Sequence, residues 1–279
     1  MDGKALAERL RQETADEVRE LGEVGLATVL VGDDPASDIY IRRKHEAGNE
    51  VGILTRDIRL ASQTTEEELL ERVEQLNGDD SIDGLLVQLP LPEHIDEARV
   101  LRAIEPVKDV DGLHPLNAGL LYLGRPAHVG ATPLGIMALL EEYSVPVEGA
   151  RAVVVGRSDI VGKPTAVLLL HANATVTICH SRTQDLAART REAGILVVAV
   201  GQAGVVGPED IGEGATVIDV GMNRTDEGLR GDVDPVAAER AGLITPVPGG
   251  VGPMTIAMLL KSTVRAAHYR RGLLAFPGA

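Results

Sequence analysis

Lysine is scarce in this sequence. Of its 27 basic residues only five are lysines, at positions 4, 44, 108, 163 and 261, against 22 arginines. Arginine stays charged at any working pH, whereas a partly desolvated lysine can lose its proton near neutrality and serve as acid or base. Lys44 has the company such chemistry would need. Tyr40 lies four residues before it, so on a helix both point to one side. Gln88 closes an apolar run, where an amide requires partners; it serves either the structure or the orientation of Lys44. Asp109 and Asp111 flank Val110 in the segment Lys108-Asp109-Val110-Asp111-Gly112. Taken singly, the Tyr40–Lys44 pair also reads as an exposed lysine beside a half-buried tyrosine, and the aspartates as turn formers.

A second set lies in Arg151–Thr165, RAVVVGRSDIVGKPT. Ala152–Val155 reads as a buried strand, Gly156 breaks it, and Gly162 with Pro164 opens an apolar helix. Strand, glycine turn and helix can present backbone N–H groups to a pyrophosphate. The spacing of one glycine, five residues and a second glycine differs from G-x-G-x-x-G, and an isolated match reads equally as a connection. The next strand ends Cys179-His180-Ser181-Arg182 without the carboxylate that binds an adenosine ribose diol. Ser181 and Arg182, with Arg157 and Ser158, suit a ribose phosphate instead, favouring NADP over NAD. A third set is Thr245–Thr255, TPVPGGVGPMT. Its glycines and prolines exclude helix and sheet in this reading, and its glycines would let backbone approach a ligand closely. The seven histidines show no metal-ligand spacing and there is no P-loop, so no metal is expected.

The elements that must position these residues fall in chain order. Helices are expected at 2–21, 36–47, 65–76, 132–142, 166–170, 183–193 and 253–271. Strands are expected at 25–31, 53–60, 84–89, 152–155, 174–179, 195–200, 215–220 and 243–245. Asp34 or Ser37 caps the second helix, and Thr65-Glu66-Glu67-Glu68 supplies a capping box for the third. The first hundred residues are therefore βαβαβ with a parallel sheet, whose ligands bind beyond the carboxyl ends of the strands. That rim would carry Tyr40, Lys44, Gln88 and the 108–112 loop. The fold class is α/β with two domains: an N-terminal catalytic domain, 1–131 with 254–279, and a Rossmann-like dinucleotide domain, 132–253. The long C-terminal helix returns to the first domain.

Composition narrows the class further. A chain of 279 residues suits two domains with their own cores. It has no apolar run of membrane-spanning length and no leader pattern, so a soluble cytoplasmic protein is expected. Cys179 is the single cysteine, which excludes an intramolecular disulfide, and a net charge of −15 argues against nucleic acid as a partner. High acid with little lysine fits a salt-rich cytoplasm or a GC-rich genome.

Together the motifs resemble the bifunctional methylenetetrahydrofolate dehydrogenase/methenyltetrahydrofolate cyclohydrolases over nearly the whole chain. They are ASDIYIRRK at 36–44, LVQLPLP at 86–92, KDVDG at 108–112, VGRSDIVGKP at 155–164 and TPVPGGVGPMT at 245–255. The resemblance implies that Lys44 is the acid/base of the cyclohydrolase step and that Tyr40 packs on the folate rings. It implies that Gln88 hydrogen-bonds Lys44 and that Asp111 holds the pterin, whose adjacent donors suit one carboxylate. Pro248, Gly249, Gly250 and Val251 would line the place where substrate meets nicotinamide. Gly156, Arg157, Ser158, Gly162, Ser181 and Arg182 would bind NADP. Relatives are typically homodimers. One departure is Ala131 before Thr132-Pro133, where relatives commonly carry Pro-Cys. Three other readings share parts of this pattern: a dehydrogenase-only relative, another two-domain dehydrogenase of the shikimate or amino-acid type, and a non-catalytic nucleotide sensor.

Overall fold

The structure is a computed structural model that describes residues 1–226 and 228–278. Glu227 of the expected NADP domain and Ala279 of the expected folate domain lie outside the described residues. The chain divides into two compact units, Arg9–Ala131 with Ile256–Ala279, and Met1–Glu8 with Thr132–Thr255. In this division the first eight residues fall with the 132–255 segment. Backbone bonds account for this: the Met1 amino group donates to Ile244 O at 2.7 Å and Gly3 N to Gly249 O at 3.0 Å.

The unit built on residues 9–131 carries a parallel sheet. Helix α1 (Gly3–Leu21) leads to β1 (Gly25–Val31), α2 (Pro35–Glu50), β2 (Leu54–Leu60), α3 (Glu66–Asn77) and β3 (Gly84–Val87). The strand order is β2-β1-β3. The central strand β1 is buried at every residue, which explains its unbroken apolar run. Asp34 caps α2 by accepting from Ser37 N, and Thr65 with Glu68 forms the expected capping box on α3. One sheet face packs Ala27, Val29, Leu85 and Val87 against Leu69, Val73 and Val100. Two short helices not foreseen from sequence follow, α4 (Glu97–Ala103) and α5 (Pro115–Tyr122), capped by Asp96 and His114.

The second unit contains α6 (Ala131–Glu142), β4 (Arg151–Val155), α7 (Gly162–His171), β5 (Thr175–Cys179), α8 (Leu186–Arg191), β6 (Ile195–Val198) and β7 (Thr216–Asp219). A small hairpin, β8 (Asn223–Thr225) with β9 (Gly228–Arg230), precedes β10 (Leu243–Ile244) and α9 (Val251–Arg270). The sheet order is β10-β7-β6-β4-β5, with every pairing parallel. Counted from β4 this is 2-1-3-4-5, a doubly wound order whose switch point lies between β4 and β6.

Two local expectations need correction. The helix expected at 183–193 spans only Leu186–Arg191, because Thr183 Oγ1 accepts from His180 N and Asp185, at φ 51°, caps the helix through Ala188 N. Residues 245–255 are not wholly irregular either, since α9 begins at Val251. Pro253 sits in its first turn, where backbone N–H groups have no intrahelical acceptor, so a proline costs nothing there. Residues Ile256 onward belong to the unit of 9–131, as expected for a returning C-terminal helix. No described helix is long and apolar enough to cross a membrane.

Candidate active site

Lys44 and Gln88 meet. The Lys44 ammonium donates to Gln88 Oε1 at 3.1 Å, and Lys44 is only 9% exposed. Helix α2 brings Lys44 to the end of β3, where Gln88 follows the last strand residue and donates its backbone N–H to Val29 O at 2.8 Å. The Gln88 amide is oriented by its own bond, Nε2 to Leu89 O at 2.8 Å, which leaves Oε1 for the lysine. Tyr40 stands one turn before Lys44 on α2 and is half-buried. Burial lowers the Lys44 pKa, and the Asp111 carboxylate opposes that shift. Burial likewise raises the Asp111 pKa; the Lys44 charge pulls it down, and Asp109 adds to the rise. Each charge opposes the shift that burial imposes on the other, so the protonation states of the two groups are coupled.

The segment holding Asp111 is itself held in place. Leu85 N donates to Lys108 O at 2.7 Å, laying the segment beside β3. The buried Lys108 ammonium donates to three carbonyls, Leu76 O at 3.0 Å, Asn77 O at 2.6 Å and Asp79 O at 2.9 Å. It thereby caps the carboxyl end of α3. The Asp109 carboxylate accepts from His114 N and Asn117 Nδ2, each at 2.8 Å. Gly112, at φ +65°, leaves no room for a side chain, since a Cβ would lie 2.7 Å from Val129 Cα. Leu89–Pro90, just past Gln88, is cis. Sequence reasoning singled out Asp109 only as a turn former and missed that Lys108, Asn117 and His114 hold the segment on which Asp111 lies. The scarcity of lysine was the one available signal for Lys108.

In the other unit the glycine turn is a cradle. Gly156 has φ +132°, and a Cβ there would lie 2.3 Å from Ala199 O, while one on Gly162 would lie 2.4 Å from Gly156 O. Both positions therefore admit only glycine, and the turn closes tightly at the strand-order switch point. Ser158 Oγ accepts from Val161 N at 3.2 Å and Gly162 N at 3.3 Å, the amide groups at the start of α7. Arg157, Ser158, Ser181 and Arg182 are all exposed. Arg182 N donates to His180 Nδ1 at 3.1 Å, which shapes the turn after β5. A narrow glycine turn, free guanidinium groups and hydroxyls suit a phosphorylated dinucleotide.

The third set sits in the same unit. Val247–Pro248 is cis, Gly249 has φ +113°, and Gly249, Gly250 and Val251 are buried while Pro248 is exposed. Here the close backbone approach is made by the chain itself, because a Cβ on Gly3 would lie 1.8 Å from Gly250 O. A Cβ on Gly250 would lie 2.7 Å from Thr245 Cβ. No group of three or more His, Cys, Asp or Glu residues suited to a metal ion occurs among the described residues.

Comparison with known proteins places this geometry. Residues 1–111 match the family model for the tetrahydrofolate dehydrogenase/cyclohydrolase catalytic domain, and residues 130–271 match that for its NAD(P)-binding domain. The bifunctional protein FolD of Halothermothrix orenii is 55% identical over 276 residues, covering 96% of this chain and 98% of the relative. The crystal structure of the bifunctional FolD methylenetetrahydrofolate dehydrogenase/cyclohydrolase from Campylobacter jejuni superposes with a TM-score of 0.95 at 46% identity, covering 96% and 98% of the two chains. The Trypanosoma brucei enzyme, solved with NADP and an inhibitor, gives a TM-score of 0.93 at 41% identity, covering 99% and 98%.

Proposed function

The chain belongs to the tetrahydrofolate dehydrogenase/cyclohydrolase family, and from that premise we propose how its residues divide the work. It is a bifunctional enzyme that oxidises methylenetetrahydrofolate to methenyltetrahydrofolate with NADP⁺ and hydrolyses the product to 10-formyltetrahydrofolate. The unit of residues 9–131 and 256–279 takes the folate, and the unit of 132–255 takes the cofactor. The observation that carries the reading is the buried Lys44 ammonium, 3.1 Å from an amide oxygen that is itself fixed, with Asp111 in electrostatic reach.

In the hydrolytic step Lys44, made less basic by burial, takes a proton from the water that adds to the methenyl carbon. It then returns that proton to the ring nitrogen as the bond from that nitrogen to the one-carbon unit breaks, while the remaining hydroxyl proton leaves to solvent and the formyl C=O forms. Gln88 fixes the lysine's position and its proton balance. Asp111 accepts the paired donors of the pterin, and Tyr40 supplies a flat surface beside its rings. Gly156 and Gly162 keep the turn narrow, and Arg157, Ser158, Ser181 and Arg182 would hold the cofactor's phosphates. Bound there, NADP⁺ supplies the hydride acceptor for the first reaction. Pro248, Gly249, Gly250 and Val251 would line the folate's approach to it. The protein's contribution to that reaction is positioning.

We also infer a homodimer in the cytoplasm. The edge strand β5 has no neighbour on its outer side within the sheet, and Ile178 on it and Leu170 of α7 are 44% and 56% exposed. An unpaired edge with exposed apolar side chains is a surface that a second copy can cover. A net charge of −15 supports a small-molecule enzyme that avoids nucleic acid.

The test mixes purified protein with methylenetetrahydrofolate and NADP⁺ or NAD⁺, following reduced nicotinamide and the methenyl compound together, for wild type and Lys44→Ala. Reduction of NADP⁺ without methenyl accumulation, and loss of methenyl hydrolysis in the mutant, is the expected result. Reduction with lasting accumulation in the wild type would mean a dehydrogenase only. No reduction with either cofactor would sink the folate reading.

A further inference from the structure

The second unit contains a buried pair of carboxylates that no step above uses. Asp232 is fully buried, and its carboxylate is surrounded by donors. Oδ2 accepts from Val200 N at 2.7 Å and Gly201 N at 2.9 Å. Oδ1 accepts from Gln202 N and from Asn223 Nδ2, each at 2.9 Å. Asp219, the last residue of β7, holds Asp232 in turn: its Oδ1 accepts from Asp232 N at 2.8 Å and Gly221 N at 3.0 Å, and its Oδ2 from Val233 N at 3.0 Å. The packing permits nothing larger than glycine beside the pair. A Cβ on Gly231 would lie 1.8 Å from Asp219 Oδ2, and one on Gly221 would lie 2.2 Å from Asp232 Oδ1.

Three consecutive loop amides directed at one carboxylate form a nest, a concave arrangement usually reserved for an anion. Here an internal side chain occupies it. The loop it shapes, residues 200–202, leaves the carboxyl end of β6 at the switch point. Ala199, just before it, donates to Val155 O at 2.8 Å, and its own carbonyl is the wall against which Gly156 closes. The Asp232 carboxylate thus sets one wall of the turn that the reading above assigns to the dinucleotide. The three amide donors come from 30 to 32 residues upstream, so only a folded sheet brings them to the carboxylate.

We propose that Asp232 is a positioning residue for cofactor binding, holding the 200–202 loop in the shape that receives NADP⁺. This rests on the assignment of that unit to the cofactor. Asp232→Asn keeps the size but replaces one acceptor oxygen by a donor, so whichever way the amide turns, two of the four bonds are lost and donors face donors. The experiment measures NADP⁺ binding by calorimetry alongside hydrolysis of preformed methenyltetrahydrofolate, which needs no cofactor. The variant should bind NADP⁺ at least tenfold more weakly while hydrolysis stays within twofold of wild type. Unchanged NADP⁺ binding, or equal losses in both measurements, would overturn the proposal. If Asp232→Asn does not fold, Asn223→Ala decides, since it removes the one side-chain donor and leaves the carboxylate: a two- to fivefold weaker NADP⁺ affinity supports the role, and an unchanged one refutes it. A wild-type protein that binds no NADP⁺ would instead defeat the assignment of the unit.

Discussion

Two of the five lysines are buried in the same unit, and they are handled in opposite ways. Lys108 donates to three backbone carbonyls at 2.6 to 3.0 Å, which saturates its ammonium. Lys44 has one amide oxygen at 3.1 Å and the charge of Asp111. Burial lowers the pKa of both. What separates them is the number of acceptors. A saturated ammonium has nowhere better to send its protons and becomes a structural cation, whereas an under-satisfied one can exchange a proton with a substrate. A scarce lysine in an arginine-rich chain therefore marks burial first and catalysis only where acceptors are withheld.

The largest expected effect breaks the comparison from the catalytic side. Lys44→Ala should slow methenyl hydrolysis by roughly 10²- to 10⁴-fold, the usual contribution of a positioned acid/base. Its thermal unfolding midpoint should stay near that of wild type, because no network depends on the single bond to Gln88. Next comes the structural side. Lys108→Met keeps the side-chain length but withdraws the ammonium from three carbonyls at and just past the end of α3, and should cost roughly 3 kcal/mol of stability by denaturant titration. Hydrolysis per folded molecule should change far less than in Lys44→Ala. If the two variants exchanged these phenotypes, the acceptor-count argument would be wrong.

Much of this arrangement was legible in the sequence, and the failures have a common cause. Buried strands such as Ala152–Val155 declare themselves as short apolar runs, and caps such as Thr65 through Glu68 as local side-chain patterns. Lys108 and Asp232 carry no such signature, because their partners are backbone groups supplied from about thirty residues away. Any sequence offers backbone N–H and C=O groups, so composition says nothing of where they converge. The short helices α4 and α5 were missed for a related reason. Each is held by a cap and by packing, α4 through Val100 in the core beside the sheet and α5 through Leu120 with Ala127 and Tyr269, and neither is long enough to show a hydrophobic period. The glycines at 249 and 250 were legible as close-approach positions, but the neighbours they admit are the chain's own: the Lys4 side chain at 249, and Thr245 with the Pro246 carbonyl at 250.

A third prediction concerns the support of the Lys108 segment. His128 Nε2 bonds Val107 O at 2.8 Å, and its ring is packed against Tyr269 and Phe276. Burial holds its pKa down to about 4 from an ordinary 6.5. The folded state then refuses a proton that the unfolded chain accepts. The stability this group confers is full above pH 6.5, falls as pH drops from there to about 4, and is constant below. The total is roughly 3 kcal/mol. His128→Phe should flatten the stability curve of that interval in urea titrations; an unchanged slope would place the acid sensitivity in other groups.

The smallest effect sharpens the comparison at Lys44 itself. Gln88→Glu replaces a neutral acceptor with an anion at the same position, making Lys44 a little more like Lys108 in how firmly its proton is held. An opposite charge this close favours the ammonium by about one pH unit or more. The pH–rate profile of methenyl hydrolysis should therefore keep its shape while the limb that reports loss of the lysine proton moves upward. Below that limb the rate should fall, since less free amine is present to accept a proton from water. A limb in the same place in Gln88→Glu and wild type would mean that some group other than Lys44 sets it, and the distinction between the two lysines would then rest on geometry alone.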